Sequence, residues 1–419
     1  MPGSVVQIRY LVSAVFGFLL LIGVPLSTIA SDDFNLSLPK HRILADELAI
    51  IINDADPLSV RIGNYYRKAR NIPARNVLHV DFRPGRPNMG KAEFRRIKAL
   101  IDRQTPANVQ AYAITWAAPF RVNCMSITSA FAFGFDKRFC SSQRCAPTQH
   151  SRYFGRPSAM PYTDFGIRPT IAIAAENFAE AKALIDRGVM SDKTRPSGTA
   201  YLVSTSDRAR NVRSTGYTTV KSVMTGWINT SIVESEALEN INDILFYFTG
   251  KTSVPYLDTL QFVPGAIADH LTSGGGKLIN GKQMSALRWL EAGATGSYGT
   301  VVEPCNLTGK FPNPGELIDV YGSGRTLLQA YWQSVQQPGE GIFIGAPLAA
   351  PFDGFTLKVQ DRSILLRTRT LIPGRYRLLY SKGPIGPYRA LPGVIEARYH
   401  QRRFTLPNAG AGYYRLEHI

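Results

Sequence analysis

Short, almost unbroken apolar runs separated by stretches of helical periodicity constrain this chain more than any other feature. The runs are Glu47 to Asn53 (ELAIIIN), Asn76 to Phe82 (NVLHVDF), Val109 to Trp116 (VQAYAITW), Thr170 to Ala174, Thr199 to Thr205, Ile244 to Phe248 and Ile342 to Ile344. Helical patterns fall between them at Ser59 to Arg70, Lys91 to Gln104, Phe178 to Arg187, Gln283 to Ala292 and Gly315 to Val335. A strand that is apolar at every position, rather than at alternate ones, is covered on both faces, and crossover helices supply that cover. The reading is an α/β domain over residues 31–350, a mostly parallel sheet flanked by helices that begins near residue 45.

Two regions break this rhythm. Arg121 to Tyr162 is polar, rich in Gly and bears Cys, and reads as an insertion riding on a loop at the sheet edge. After Pro351 the pattern turns to short β-type runs, at Thr356 to Val359, Ser363 to Thr368, Gly374 to Tyr380, Val394 to Tyr399 and Tyr413 to Glu417, divided by Gly, Pro and Asn. Residues 351–419 therefore read as a small all-β, sandwich-like module.

Residues 1–30 read as a signal peptide. Arg9 is the only charge before Asp32, Leu11 to Ala30 is mostly apolar and interrupted by Gly and Pro, and small residues lie near Ala30. The rival is a retained membrane anchor, since the run approaches the ~20 residues of a spanning helix. Either way the mature chain is expected outside the cytoplasm, in the periplasm, on the surface or secreted, touching membrane only through this segment. In an oxidising compartment Cys124, Cys140, Cys145 and Cys305 are expected to pair. A local Cys140–Cys145 bridge with a second Cys124–Cys305 bridge is the expectation; a zinc site from Cys140, Cys145 and His150 lacks a fourth ligand and a standard spacing.

The chain carries 48 Lys and Arg against 31 Asp and Glu, a formal +17. Residues 351–419 hold 12 of those basic residues and 4 of the acidic ones, a net +8. Outside the cytoplasm such a balance points to an anionic envelope polymer, or else to a solvated basic surface, rather than to nucleic acid. No cofactor or metal is expected.

Chemistry-bearing residues concentrate in two segments, PGAIADHLTSGGG at Pro264 to Gly276 and GATGSYGTVVEPCNLTGKFPNP at Gly293 to Pro314. These hold Asp269, His270, Glu303 and Cys305 among residues that favour special backbone shapes. A Cys–His pair needs a thiolate and an imidazole in hydrogen-bond reach, which makes His270 and Cys305 the catalytic candidates, with Asp269 or Glu303 orienting the imidazole. Gly274, Gly275 and Gly276 are candidates for an anion cradle. The bland alternatives are a loop-bonding His270, a disulfide-bonded Cys305 and glycines that serve tight turns. Asp54 and Asp56 read as helix capping. Glu234, Glu236, Glu239 and Asp243 read as a solvated face. In TSDRARNVR, Arg208, Arg210 and Arg213 stand as either an anion grip or exposed charge.

The segments ELAIIINDADPLS, YYRKARNIPARNV, PGAIADHLTSGGG, LRWLEAGATGSYGTVVEPCN and KFPNP resemble a family of uncharacterised exported bacterial proteins found in genomes with exosortase systems. More distantly, the order of elements is similar to the caspase-like fold of gingipain-type cysteine peptidases, a three-layer sandwich that ends in a small immunoglobulin-like domain. In that group one strand ends in a Gly-His-Gly-type turn and the next carries the nucleophilic Cys. Here Phe246 to Lys251 reads FYFTGK, with Lys251 at the His position, and IADHLTS follows, with His270 near the Cys position. The resemblance thus implies an exported binding or accessory protein of exosortase-linked surface protein or exopolysaccharide export. Its pocket would be lined by Asp269, His270, Ser297, Tyr298, Glu303 and Asn306. The alternative is a cysteine hydrolase or peptidase using Cys305 and His270.

Overall fold

The computed structural model describes residues 34–143 and 145–419, and the signal-peptide reading of residues 1–30 lies outside them. Strand β1 (Phe34–Ser37) is followed by the strands of one large sheet: β2 (Leu48–Asn53), β3 (Val77–Val80), β4 (Ala111–Ile114), β5 (Thr170–Ala172), β6 (Thr199–Ser204), β7 (Asn229–Glu234), β8 (Ile244–Gly250), β9 (Phe262–Leu271), β10 (Gly296–Thr300) and β11 (Gly341–Gly345). Their order across the sheet is β7-β6-β8-β9-β10-β11-β5-β4-β2-β3. Every pairing is parallel except β10 with β11, so the sheet is mixed. The continuous apolar runs behave as expected: every residue of β2 is buried, as are all of β8 and β11. Each such Leu, Ile or Phe contributes roughly 1.5–3 kcal/mol by leaving water.

Helices α1 (Pro57–Ala69), α2 (Lys91–Gln104), α3 (Ile127–Phe133), α4 (Pro161–Phe165), α5 (Phe178–Met190), α6 (Tyr217–Met224), α7 (Leu287–Glu291), α8 (Pro314–Gly322) and α9 (Leu327–Ser334) accompany the sheet. Successive strand residues point to opposite faces, and β9 shows which helix covers which. Asp269 meets Arg213, just before α6, whereas His270 meets Trp289 of α7. Two caps explain why the expected Gly315-to-Val335 helix is two helices. Asn313 Oδ1 accepts from the amides of Gly315 and Glu316 to start α8, and Thr326 with Gln329 forms a capping box that restarts the chain at α9.

The Arg121-to-Tyr162 insertion is less polar in the structure than in the sequence. Its α3 is buried, with Phe131 edge-on to Phe94 of α2 and Phe133 edge-on to Trp332 of α9. The disulfides correct the expected pairing: Cys124 joins Cys140, and Cys145 joins Cys305. The second bridge ties the insertion to the segment after β10 across 160 residues. Beside it lies a buried ion pair, Lys310 Nζ to Glu340 Oε2 at 2.8 Å, with Ser141 bonded to both partners. Two disulfides suit an oxidising, exported location. Among the described residues no helix is long and apolar enough to cross a membrane.

The C-terminal residues form two small sheets. Strands β12 (Phe355–Val359), β13 (Ser363–Thr368) and β16 (Arg403–Pro407) make one; β14 (Gly374–Ser381), β15 (Ile395–Ala397) and β17 (Gly412–His418) belong to the other. One core joins them, with Ile364, Leu366 and Phe404 from the first and Tyr376, Leu378 and Tyr414 from the second. Strand β1 adds to this second sheet, parallel to β17, so residues 34–37 extend the C-terminal module rather than the α/β domain that the sequence division gave them to. His41 and Arg42, just beyond β1, both bind the Asp353 carboxylate at the junction, at 2.8 and 2.9 Å.

Candidate functional site

Strands β6, β7, β8 and β9 run parallel, and their carboxyl ends open onto shared loops, the position where sheets of this kind build sites. Asp269 and His270 are consecutive on β9 and nearly inaccessible, at 1 % exposure each. His270 is completely bonded. Its Nδ1 accepts from the Trp289 indole N–H at 2.9 Å, and its Nε2 lies 3.2 Å from the Met284 carbonyl. Burial pushes its pKa down to about 4, so the ring is neutral at ordinary pH, with the proton on Nε2 facing the carbonyl.

Cys305 is bonded to Cys145 and has no thiolate to offer. Glu303, at the exposed rim, accepts from Ser273 Oγ at 3.0 Å and from the Cys305 amide at 2.9 Å, which fixes the turn that carries the disulfide. Gly276 gives its amide to the Thr300 carbonyl, and the Gly275 carbonyl receives the Ala286 amide at 2.7 Å. A Cβ on Gly276 would sit 2.5 Å from the Gly299 carbonyl oxygen. The glycine triplet therefore allows a close backbone approach between the end of β9 and β10. Tyr298 is buried, its hydroxyl donating to the Lys310 carbonyl at 2.5 Å. Ser297 is buried with Oγ unpartnered, and Asn306 is exposed. The ten residues singled out from sequence thus lie in separate surroundings rather than around one pocket.

What lies at the strand ends is a cleft of about 610 Å³, lined in part by Phe154 of the insertion, Arg213, Thr215 and Tyr217, Phe311 and Asn313, and Tyr399 of the C-terminal module. Arg213 reaches back from this lining to Asp269. Its Nη2 is 2.6 Å from Asp269 Oδ1 and donates to the Thr249 carbonyl at 2.7 Å, while Nη1 reaches the Pro312 carbonyl at 3.3 Å. Asp269 Oδ2 receives no donor and Arg213 Nε has no acceptor. Burial pushes the Asp269 carboxyl up, and the Arg213 charge pulls against it. Thr249 Oγ1 and the Tyr331 hydroxyl are also buried without partners.

A second cleft, of about 690 Å³, opens beside Tyr256, Gln283, Met284 and Arg288. None of its lining side chains holds a buried, unpaired polar atom. The Arg213 cleft is therefore the stronger candidate. Sequence reasoning missed its lining, although two signals touched it: the TSDRARNVR loop, of which Arg213 is the last residue, and the KFPNP segment, which supplies Phe311 and Asn313. In that loop Arg210 pairs with Asp207 at 2.9 Å. Further along the same rim Lys251 pairs with Glu236. Among the described residues no group of three or more His, Cys, Asp and Glu side chains could hold a metal ion.

No family model, no curated protein and no solved structure matches the chain.

Proposed function

We propose that the chain is an exported binding or accessory protein of the cell envelope, acting beside exosortase-linked export of surface protein or exopolysaccharide. Its frame is caspase-like with an immunoglobulin-like C-terminal module, and a recognition cleft stands where that frame would hold a catalytic pair. One contrast carries this reading. The side chains able to run a Cys–His reaction are committed to structural bonds, Cys305 to Cys145 and His270 to Trp289 and Met284. The adjoining cleft, by comparison, presents aromatic, hydroxyl and amide groups over a charged pair with unmade hydrogen bonds. Large pockets with a few convergent polar groups are the default binding-site hypothesis.

Two further facts support the frame. Strands β8 and β9 are adjacent and parallel, as the caspase-like arrangement requires, and the β8 end carries Lys251 in ion-pair contact with Glu236 instead of an imidazole. The partner is an envelope polymer or surface protein that meets a basic chain. The test is calorimetric titration of the purified chain with envelope polysaccharide fragments and with soluble surface proteins, for the native form and for Phe154→Ala with Tyr399→Ala. Saturable binding weakened at least tenfold by the double substitution is expected. Binding indifferent to the cleft, or turnover of a peptide or ester substrate abolished by His270→Gln, would overturn the reading.

A further inference from the structure

Among the described residues, four arginine side chains of the α/β unit are largely withdrawn from water: Arg70 faces Asp192, Arg213 faces Asp269, and Arg168 gives its Nε to the Val109 carbonyl and lies over the Tyr162 ring. Arg325, in the turn between α8 and α9, is 4 % exposed and has no such partner. Its one side-chain bond runs from Nη1 to Ser323 Oγ. Nε and Nη2 are buried without an acceptor. Those two nitrogens form one edge of the guanidinium, the edge that offers two parallel N–H bonds to a carboxylate.

Arg325 and His400, whose Nε2 is likewise buried and unpartnered, line one pocket of about 150 Å³ between α8 and the C-terminal module. The nearby Asp319 does not fill the open edge. It accepts from the Tyr399 hydroxyl at 2.9 Å and lies 3.4 Å from His400 Nδ1. The same pocket is lined by Gln333, whose Nε2 donates to the Tyr153 hydroxyl, and by Gln401, which is bonded to the Arg398 amide and the Arg403 carbonyl. Glu316, Asp319 and Tyr399 line both this pocket and the 610 Å³ cleft, so the two adjoin along that wall.

We propose that this pocket is a carboxylate subsite for one uronate residue of an acidic polysaccharide, gripped through the Nε–Nη2 edge of Arg325 while the polymer continues towards the adjoining cleft. The inference rests on the reading of the chain as a binding protein and names its ligand class. A repeating polyanion fits better than a peptide with a single terminal carboxylate, because the module beyond the pocket is itself basic. Arg367 of β13 and Arg403 of β16 stand directly opposite each other there, a like-charge pairing that anion binding relieves.

The experiment is calorimetric titration of the chain with an oligogalacturonate, with a neutral oligosaccharide of the same length, and with a tripeptide bearing a free C-terminus. Saturable binding of the oligogalacturonate alone is expected, weakened at least tenfold in Arg325→Gln and about threefold in His400→Gln. Should Arg325→Gln not fold, His400→Gln together with competition by free galacturonate on the native chain decides the matter. Oligogalacturonate binding that both variants leave unchanged would overturn the subsite and leave the binding reading standing. Tighter, Arg325-dependent binding of the tripeptide would overturn the polysaccharide. No binding of any of the three would overturn the inference, and the envelope-fragment titration then decides the broader reading by itself.

Discussion

Among the described residues, two ion pairs of the α/β unit have both partners buried, and they are finished differently. Lys310 and Glu340 are closed by Ser141, whose amide and hydroxyl each bind Glu340 Oε1 at 2.8 Å while the hydroxyl also accepts from Lys310 at 2.7 Å. The network pins the insertion beside the Cys145–Cys305 bridge. Arg213 and Asp269 touch at 2.6 Å through Oδ1, yet leave Asp269 Oδ2 and Arg213 Nε unbonded. A closed buried network rigidifies its surroundings, whereas an unclosed one is costly to keep. The unclosed pair stands behind the cleft and the closed one does not, which separates the part of this molecule built for stability from the part free to meet a ligand.

The largest effect that would test this contrast comes from Lys310→Met. It leaves Glu340 charged, buried and short of its cation, and is expected to cost about 3–5 kcal/mol in urea unfolding. His270 sharpens the contrast next, since it is the closed neighbour of Asp269 on the same strand. Its folded pKa of about 4 lies below the ordinary histidine value of 6.5, so the unfolded chain takes up the proton more readily. Stability should therefore fall as pH drops from about 6.5 towards 4, by about 1.4 kcal/mol per unit. His270→Gln, which can accept from Trp289 and donate to Met284, should flatten that slope in melts recorded across this window. The smallest effect is expected from Asp269→Asn, roughly 1–3 kcal/mol, because Arg213 keeps the Thr249 and Pro312 carbonyls. If Asp269→Asn proves as damaging as Lys310→Met in the same unfolding assay, the two pairs are equivalent and the contrast fails.

The sheet was legible wherever the chain is continuously apolar, as at β2, β6 and β11. Apolar pattern alone did not mark β9 and β10, whose PGAIADHL and GSYGT are broken by Gly and polar residues; only the caspase-like resemblance places strands at IADHLTS and at Gly293 to Thr300. These are strands near the middle of the sheet, and their glycines answer to close packing: a Cβ on Gly296 would meet Leu327 at 2.6 Å, and Gly276 abuts Gly299. The polarity of Asp269 and His270 hid a strand for a related reason, since each has a long-range partner, Arg213 or Trp289, that local sequence does not reveal. The disulfide pairing failed likewise. Cys140 and Cys145 are close in the chain, but the fold sends them to Cys124 and Cys305. The cleft itself gathers residues from the insertion, the α6 and α8 approaches and the C-terminal module, a convergence that no single segment encodes.

The most direct test of the central claim, that this region recognises rather than reacts, is residue-by-residue thiol alkylation of the purified native chain across pH, followed by non-reducing disulfide mapping. Cys124–Cys140 and Cys145–Cys305 bridges, with no alkylation before reduction, are expected. A free Cys305 that alkylates rapidly well below the ordinary thiol pKa of ~8.5 would be an activated nucleophile and would contradict the central claim.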